Sequence, residues 1–283
     1  MRWQTSRRSG NIEEGRGGGI PRVPVIGGGA ILIVVLLSWL IGGDPLALLQ
    51  QLDTSGSTQT AEVGSGVAID ATTRDFVAAV LGETEDVWRE VFRQSGATYQ
   101  DPKLVLFSGA EQSPCGLADV ATGPFYCPGD QKVYLDVTFF RELSERLGAP
   151  GDFAQAYVIA HEVGHHVQNL LGITDKLDAM RQRLSREEYN AMSVRLELQA
   201  DFLAGVWANH AQQRWQILEP GDIEEALNAA SQIGDDRLQR KTQGYVVPDA
   251  FTHGTSEQRV RWFRKGLETG DLRQGDTFSA EQL

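Results

Sequence analysis

Two histidines and a glutamate near the middle of the chain have types and a spacing that suit a metal site. His161 and His165 are four residues apart, and residues at that spacing share one face of a helix. Both imidazoles can therefore reach one zinc ion at about 2.0–2.1 Å. Glu162 points to the neighbouring side of the same site, where it can take a proton from a water molecule on the zinc without binding the metal. The spacing predicts one zinc ion per chain, with Glu162 as the catalytic base.

A third zinc ligand is needed, and an acidic pair further along the chain can supply it. Glu197 and Asp201 are also four residues apart. We predict that Glu197 binds the metal and that Asp201 accepts a hydrogen bond from the second ring nitrogen of a ligating histidine. A solvated charged face is the alternative. The apolar residues around the pair favour a packed helix and hence the metal site: Leu196, Leu198, Ala200, Phe202 and Leu203.

The other histidines have different expected roles. His253 precedes the last predicted helix, where it could enter the cleft and hydrogen-bond an oxyanion as a catalytic residue, or serve as a capping or structural histidine. His166 is expected to be a packing or surface neighbour, and His210 a surface residue.

Helices must position most of these residues. Residues 153–171 have a helical pattern, with Asp152 as a plausible N-cap and Gly172 as a stop. Residues 185–212 form a second long helix, which Ser185 and Glu188 open as a capping box. Further helices are predicted over residues 69–92, 223–233 and 256–267, strands over 104–107 and 132–137, and a loop over 109–129. The predicted fold class is α+β, mainly helical with a small sheet.

Composition limits the class of partner. The chain has 283 residues, of which 41% are hydrophobic, so it can bury a sizeable core. Its net charge is -12. Nucleic acid is therefore not an expected partner, because a nucleic-acid binder needs a basic face for the phosphates.

The N-terminal region predicts a membrane anchor. No residue from 23 to 43 is charged, and the 19 residues from 23 to 41 would span roughly 28 Å as a helix, close to the ~30 Å hydrocarbon core. A cleaved signal peptide is the alternative, but its apolar region would be shorter and followed by a cleavage site. All arginines of this region precede the apolar run: Arg2, Arg7, Arg8, Arg16 and Arg22.

These features predict a single-pass membrane protein with a cytoplasmic N-terminus and a periplasmic or extracellular domain. Residues 1–22 would be a disordered tail, residues 23–43 the anchor in the lipid bilayer, residues 44–66 a flexible linker and residues 67–283 the globular domain. An oxidising compartment would favour a disulfide between Cys115 and Cys127, and two free buried thiols are the alternative.

Several longer strings resemble the bacterial neutral zinc metallopeptidases. They are the opening Met1-Arg2-Trp3, the stretch GPFYCPGDQKVY at 123–134, HEVGHH at 161–166, ELQAD at 197–201 and HGTSEQRVRWF at 253–263. The resemblance implies a zincin-type fold in which His161, His165 and Glu197 bind zinc and Glu162 is the general base. It also implies that residues 132–136 form the edge strand that lines the cleft and can pair with an extended peptide.

The expected function is that of a membrane-tethered zinc endopeptidase acting on proteins or peptides outside the cytoplasm. A catalytically silent zincin-fold module that scaffolds or protects envelope proteins is an alternative, which the intact Glu162 disfavours. A zinc hydrolase of a non-peptide substrate is another, and strand pairing at residues 132–136 would favour peptides over it.

Overall fold

The computed structural model describes residues 1–15, 68–119 and 122–283. These residues are mainly helical with a small sheet, so the α+β prediction is confirmed. The strands are β1 (Ile12–Glu14), β2 (Lys103–Phe107), β3 (Ala110–Ser113), β4 (Gly116–Asp119), β5 (Phe125–Cys127) and β6 (Lys132–Asp136). The α-helices are α1 (Ala71–Gln94), α2 (Thr138–Arg141), α3 (Asp152–Leu170), α4 (Ile173–Met180), α5 (Arg186–Trp215), α6 (Asp222–Gln232), α7 (Asp235–Gln243) and α8 (Ser256–Thr269). A π-helical turn (Glu142–Arg146) and two 3₁₀ turns (Pro248–Ala250 and Leu272–Gln274) complete the set.

A four-stranded sheet has the order β1-β2-β6-β5. The first three strands are parallel, and β5 runs antiparallel to β6, with Tyr126 opposite Val133. The expectation that residues 132–136 form the edge strand is therefore wrong. Strand β6 is buried from Val133 to Asp136 and lies between two neighbours, whereas β5 and β1 are the outer strands of the sheet in the part of the chain that the structure describes. The segment expected to be a loop also contains the β3–β4 hairpin.

Helix α3 runs through the hydrophobic core, with most of its residues buried. The helix begins at Asp152, which the sequence predicted as the N-cap, and in the structure the N-cap is Gly151. The backbone N–H of Phe153 is satisfied by the Glu225 carboxylate of α6. Helix α5 begins with the predicted capping box, in which Ser185 and Glu188 exchange hydrogen bonds. Both long helices therefore start where the polar signals of the sequence put them, within one residue.

Helices α5 and α8 approach each other closely at two glycines. A Cβ on Gly205 would overlap the carbonyl oxygen of Phe263, and a Cβ on Gly266 would overlap that of Phe202. Only glycine permits this backbone contact. The contact places residues 197–201 of α5 near the first half of α8.

The first 15 residues are part of the folded domain, so the prediction of a disordered tail is wrong for them. Strand β1 pairs with β2, and the Leu104 N–H donates to the Asn11 carbonyl at 2.9 Å. The arginines that suggested a basic tail face acids of α1: Arg8 pairs with Asp75 at 2.7 Å, and Arg7 with Asp86 at 2.9 Å. These partners are about 70–80 residues further along the chain, so local composition could not indicate them.

The predicted localisation is also wrong. Among the described residues, no helix is both long and apolar enough to cross a membrane. A single crossing would put residues 1–15 and the domain on opposite sides of the bilayer, whereas the structure packs them together in one sheet. The predicted anchor (residues 23–43) and linker (residues 44–66) lie outside the described residues.

Candidate metal centre

Helix α3 presents His161 and His165 one turn apart toward α5. Between them, Gly164 allows the two helices to touch: a Cβ there would lie 3.0 Å from the carbonyl oxygen of Ala200 and 3.2 Å from its Cα. Such contacts are tighter than side chains normally accept. The glycine of the HEVGHH string therefore lets α5 come close enough for Glu197 to face both histidines.

Three donor atoms meet at this crossing. His161 Nε2 lies 3.2 Å from one Glu197 oxygen, and His165 Nε2 lies 3.5 Å from the other. The three ligand atoms all lie within 4.8 Å of one another. Two atoms bound to one tetrahedral zinc at 2.0–2.1 Å are about 3.3 Å apart. The donor set and its spacing therefore fit zinc, with two imidazoles and one carboxylate as protein ligands.

Glu162 lies beside this triad and lines the same cleft. It is buried, and burial raises the pKa of its carboxyl, while His161 and His165 oppose the rise. The backbone N–H of Tyr126 in β5 also stabilises the carboxylate and lowers its pKa. A carboxylate that is tuned upward in pKa and placed next to a metal site has the properties of a general base.

Asp201 holds His161 through Nδ1, the ring nitrogen that does not face Glu197. One carboxylate oxygen lies 2.9 Å from His161 Nδ1 and also accepts from the Tyr157 hydroxyl. Arg259 of α8 binds both carboxylate oxygens, at 2.8 and 2.9 Å. Since a carboxylate only accepts, His161 Nδ1 carries the proton, and Nε2 is left free for the metal. Burial alone would raise the pKa of Asp201, but Arg259 and His161 hold it below its ordinary value.

Gln168 plays the corresponding part for His165. Its side-chain oxygen lies 2.9 Å from His165 Nδ1, and its nitrogen donates to the carbonyl of Leu196 at 2.7 Å and to Gln199. Because that nitrogen is fully used as a donor, the oxygen must be the atom that faces His165. Both histidine ligands are thus fixed in the same tautomer, one by a charged partner and the other by a neutral one.

The donors open onto a cleft of about 460 Å³. One wall comes from β5 and the preceding turn, and other parts of the lining come from α3, α5, α7 and α8. Apolar side chains contribute much of the lining: Phe125, Phe139, Val158, Leu196, Ile233 and Leu238. The metal ligands are therefore reachable by a substrate that lies along the free edge of the sheet.

His253 lies in this cleft and is half exposed. Asp235, at the start of α7, accepts from the backbone N–H groups of Thr252, His253 and Gly254, and its other oxygen lies 3.2 Å from His253 Nδ1. Burial lowers the pKa of His253, but Asp235 and Glu197 together outweigh that effect and raise it. The loop thus presents a histidine whose Nδ1 is held by Asp235 and by the Thr252 hydroxyl, which lies 3.0 Å away.

The structure joins the sulfurs of Cys115 and Cys127 in a disulfide at the end of β5.

His210 bonds to the carbonyl of Gly270 at 3.0 Å and is partly buried, whereas a surface position was expected. His166 is fully buried. Of the two positions expected for it, packing or surface, it occupies the packing one.

Four functional neighbours were missed from the sequence: Tyr157, Gln168, Asp235 and Arg259. A signal existed for Arg259, because it shares a helix face with Phe263, and a buried arginine needs an acidic partner. Gln168 stands three residues after His165, a spacing that allows side-chain contact on a helix. Asp235 and Tyr157 have no local pattern that distinguishes them from ordinary capping and core residues.

Comparisons with known proteins identify one protein family and several similar proteins. The family described as "Putative neutral zinc metallopeptidase" matches residues 1–278. The chain is similar to the uncharacterized protein YpfJ of Escherichia coli K12, at 48% identity over 98% of this chain and 99% of the relative. It is also similar to the uncharacterized protein Rv2575 of Mycobacterium tuberculosis H37Rv, at 39% identity over 86% of each chain. No solved structure matches the chain significantly.

Proposed function

Because the chain belongs to the family of neutral zinc metallopeptidases, we propose that it is a zinc-dependent endopeptidase. The observation that carries the proposal is the position of Glu162. Its buried carboxyl lies beside three zinc-fitting donors and lines the cleft next to a free strand edge. A site that only held a structural metal would need neither the base nor the opening.

His161, His165 and Glu197 would hold one zinc ion, which supplies Lewis-acid chemistry by lowering the pKa of a water molecule to about 7 and polarising a carbonyl. Glu162 then takes a proton from the attacking water molecule while the water oxygen forms a bond to the peptide carbonyl carbon. Glu162 returns this proton to the leaving nitrogen as the C–N bond breaks. The products are a carboxylic acid and an amine, and Glu162 is regenerated.

We assign the edge strand role to β5, in place of residues 132–136. An extended peptide can add to a free sheet edge through backbone hydrogen bonds. Among the described residues, β5 is an outer strand of this sheet with one unpaired side, and its Phe125 and Tyr126 line the cleft together with Glu162. This juxtaposition favours a peptide over a small non-peptide substrate.

His253 is assigned the stabilisation of the oxyanion. Its Nδ1 is held by Asp235, so Nε2 is the nitrogen available to the cleft. A donor placed near developing negative charge stabilises the tetrahedral species and lowers the barrier. Asp235 favours the protonated, donating form of His253, since it raises the pKa of the imidazole.

The test uses the full chain loaded with zinc. Glu162→Gln is expected to keep one zinc per chain and to lose cleavage of a mixed peptide library. The matched control is Glu187→Gln, an exposed residue in the first turn of α5, which should leave both unchanged.

Two results would contradict the proposal. Wild-type turnover by Glu162→Gln would exclude its role as base. One bound zinc with no cleavage of any peptide by the native chain would instead favour the catalytically silent scaffold.

A further inference from the structure

The third histidine of the HEVGHH string makes two well-defined contacts away from the metal. His166 is fully buried on the side of α3 that faces β5. Its Nε2 lies 2.7 Å from the carbonyl oxygen of Gln100, and its Nδ1 lies 3.1 Å from the hydroxyl of Tyr126. A carbonyl only accepts, so Nε2 carries the proton, and in the neutral ring Nδ1 accepts from the tyrosine.

Asn169 completes this arrangement one turn further along α3. Its side-chain nitrogen donates to the same Tyr126 hydroxyl at 3.1 Å. The hydroxyl therefore donates to His166 and accepts from Asn169, so its available hydrogen-bonding directions are defined by two side chains of the metal-binding helix. The Tyr126 ring also packs edge-on against the His166 ring, with centroids 5.4 Å apart.

Tyr126 is the central residue of the three-residue strand β5. On one side β5 is held by its pairing with β6, and in the described residues its other side is the free edge of the sheet. Tyr126 lines the same cleft as Glu162. The pairing with β6 and the Cys115–Cys127 disulfide tie β5 to the sheet and to the β3–β4 hairpin, not to α3. Its distance from α3 therefore depends on direct contacts between the two, such as those of Tyr126.

We propose that His166 and Asn169 are positioning residues which, through the Tyr126 hydroxyl, hold the edge strand β5 at the distance from the metal where it can pair with a substrate peptide. The inference rests on the proposed peptidase function for its kinetic consequence. The contacts themselves do not involve the metal, so the position of β5 can be measured without any activity.

Tyr126→Phe tests this directly, because it keeps the ring and removes only the bridging hydroxyl. The matched control is Tyr134→Phe in the neighbouring strand β6, whose hydroxyl donates to Asp130 of the β5–β6 turn at 2.8 Å and not to a residue of α3. Asn169→Leu removes one of the two bonds from the helix side. The zinc-loaded full chain is assayed with a long peptide that can pair along β5 and with a blocked dipeptide that cannot.

Tyr126→Phe is expected to raise KM for the long peptide about five-fold, the effect of one ordinary hydrogen bond, with kcat within two-fold of the wild type. KM for the dipeptide and the zinc content should stay unchanged. Hydrogen–deuterium exchange of residues 125–127 should become faster, while that of α3 stays the same. Asn169→Leu should act in the same direction, and Tyr134→Phe should change none of these quantities.

Unchanged exchange at residues 125–127 in Tyr126→Phe would overturn the proposal, whatever the kinetics. An equal loss of activity toward both substrates, or a loss of zinc, would also overturn it, because either would indicate a general structural role. If the wild-type chain cleaves no peptide, the proposed function fails, and the exchange measurement alone then decides whether His166 and Asn169 position β5.

Discussion

The buried ion pair between Asp201 and Arg259 allows a prediction with a defined magnitude. Asp201 is completely buried, and Arg259 is 2% exposed. In Asp201→Asn the shape is kept, but the guanidinium loses its only carboxylate partner among the described residues. Leaving one member of a buried pair uncompensated costs about 3–5 kcal/mol. We therefore expect the free energy of unfolding of the metal-free protein to fall by about that amount.

The same substitution should weaken zinc binding. An asparagine side chain can still accept from His161 Nδ1, but it is uncharged and makes the imidazole a poorer ligand. Loss of such a supporting partner typically lowers metal affinity 10–100-fold. Urea denaturation with a chelator present measures the first effect, and competition with a fluorescent zinc indicator measures the second. Gln168→Leu, which removes the neutral partner of His165, should weaken zinc binding without exposing a buried charge.

A double substitution separates the ion pair from general packing. Asp201→Asn combined with Arg259→Met removes both charges, so the double variant should be more stable than the sum of the single effects by about 1–3 kcal/mol. Strictly additive effects would refute the reasoning, since they would mean that the two side chains do not compensate each other. Zinc binding by Asp201→Asn as tight as in the wild type would refute the role given to Asp201.

Three further results are expected. Burial raises the pKa of Glu83 to about 7, so the folded state holds this proton more tightly than the unfolded chain does. The stability that the proton contributes is complete below about pH 4 and is lost as the pH rises through 7. This change is at most about 3 kcal/mol, and Glu83→Gln should abolish it in denaturation curves at pH 5 and 8. Gly266→Ala should destabilise the protein by about 1–3 kcal/mol, because the added methyl group pushes α8 away from α5, and an unchanged melting temperature would contradict the close contact. His253→Gln should lower kcat about 10²–10³-fold at unchanged zinc content, and a change in KM alone would instead assign His253 to substrate binding.

Local patterns in the sequence were enough to predict the long helices and their starts. Ser185 and Glu188 mark the start of α5 by a capping box, because that signal needs only neighbouring residues. The grouping of His161, His165 and Glu197 followed from helical spacing combined with the ligand requirements of zinc. The capping box and the histidine pair depend on residues about one turn apart, whereas Glu197 lies on a second helix and was predicted because zinc needs a third ligand.

Features that depend on distant contacts could not be predicted in this way. The ends of β6 were nearly right, but its place in the interior of the sheet depends on β2 and β5, so the edge was assigned to the wrong strand. Arg7 and Arg8 had the composition of a solvated tail, and their acidic partners lie on α1. The same limit applies to Asp235, whose role appears only when the loop that carries His253 folds back onto it.

The pairing of β1 with β2 also has a consequence for how the chain folds. Ile12 is matched with Leu104, so the sheet closes a loop of about 90 residues, including residues 16–67. Contacts between residues so far apart in sequence are slow to form, because the entropy of closing the loop is lost before the strand gains its hydrogen bonds. During synthesis, β1 emerges long before β2, and until β2 appears β1 has no partner strand. A chain that lacked residues 1–15 would expose the backbone groups of β2 permanently, and we expect such a truncated chain to self-associate along that edge.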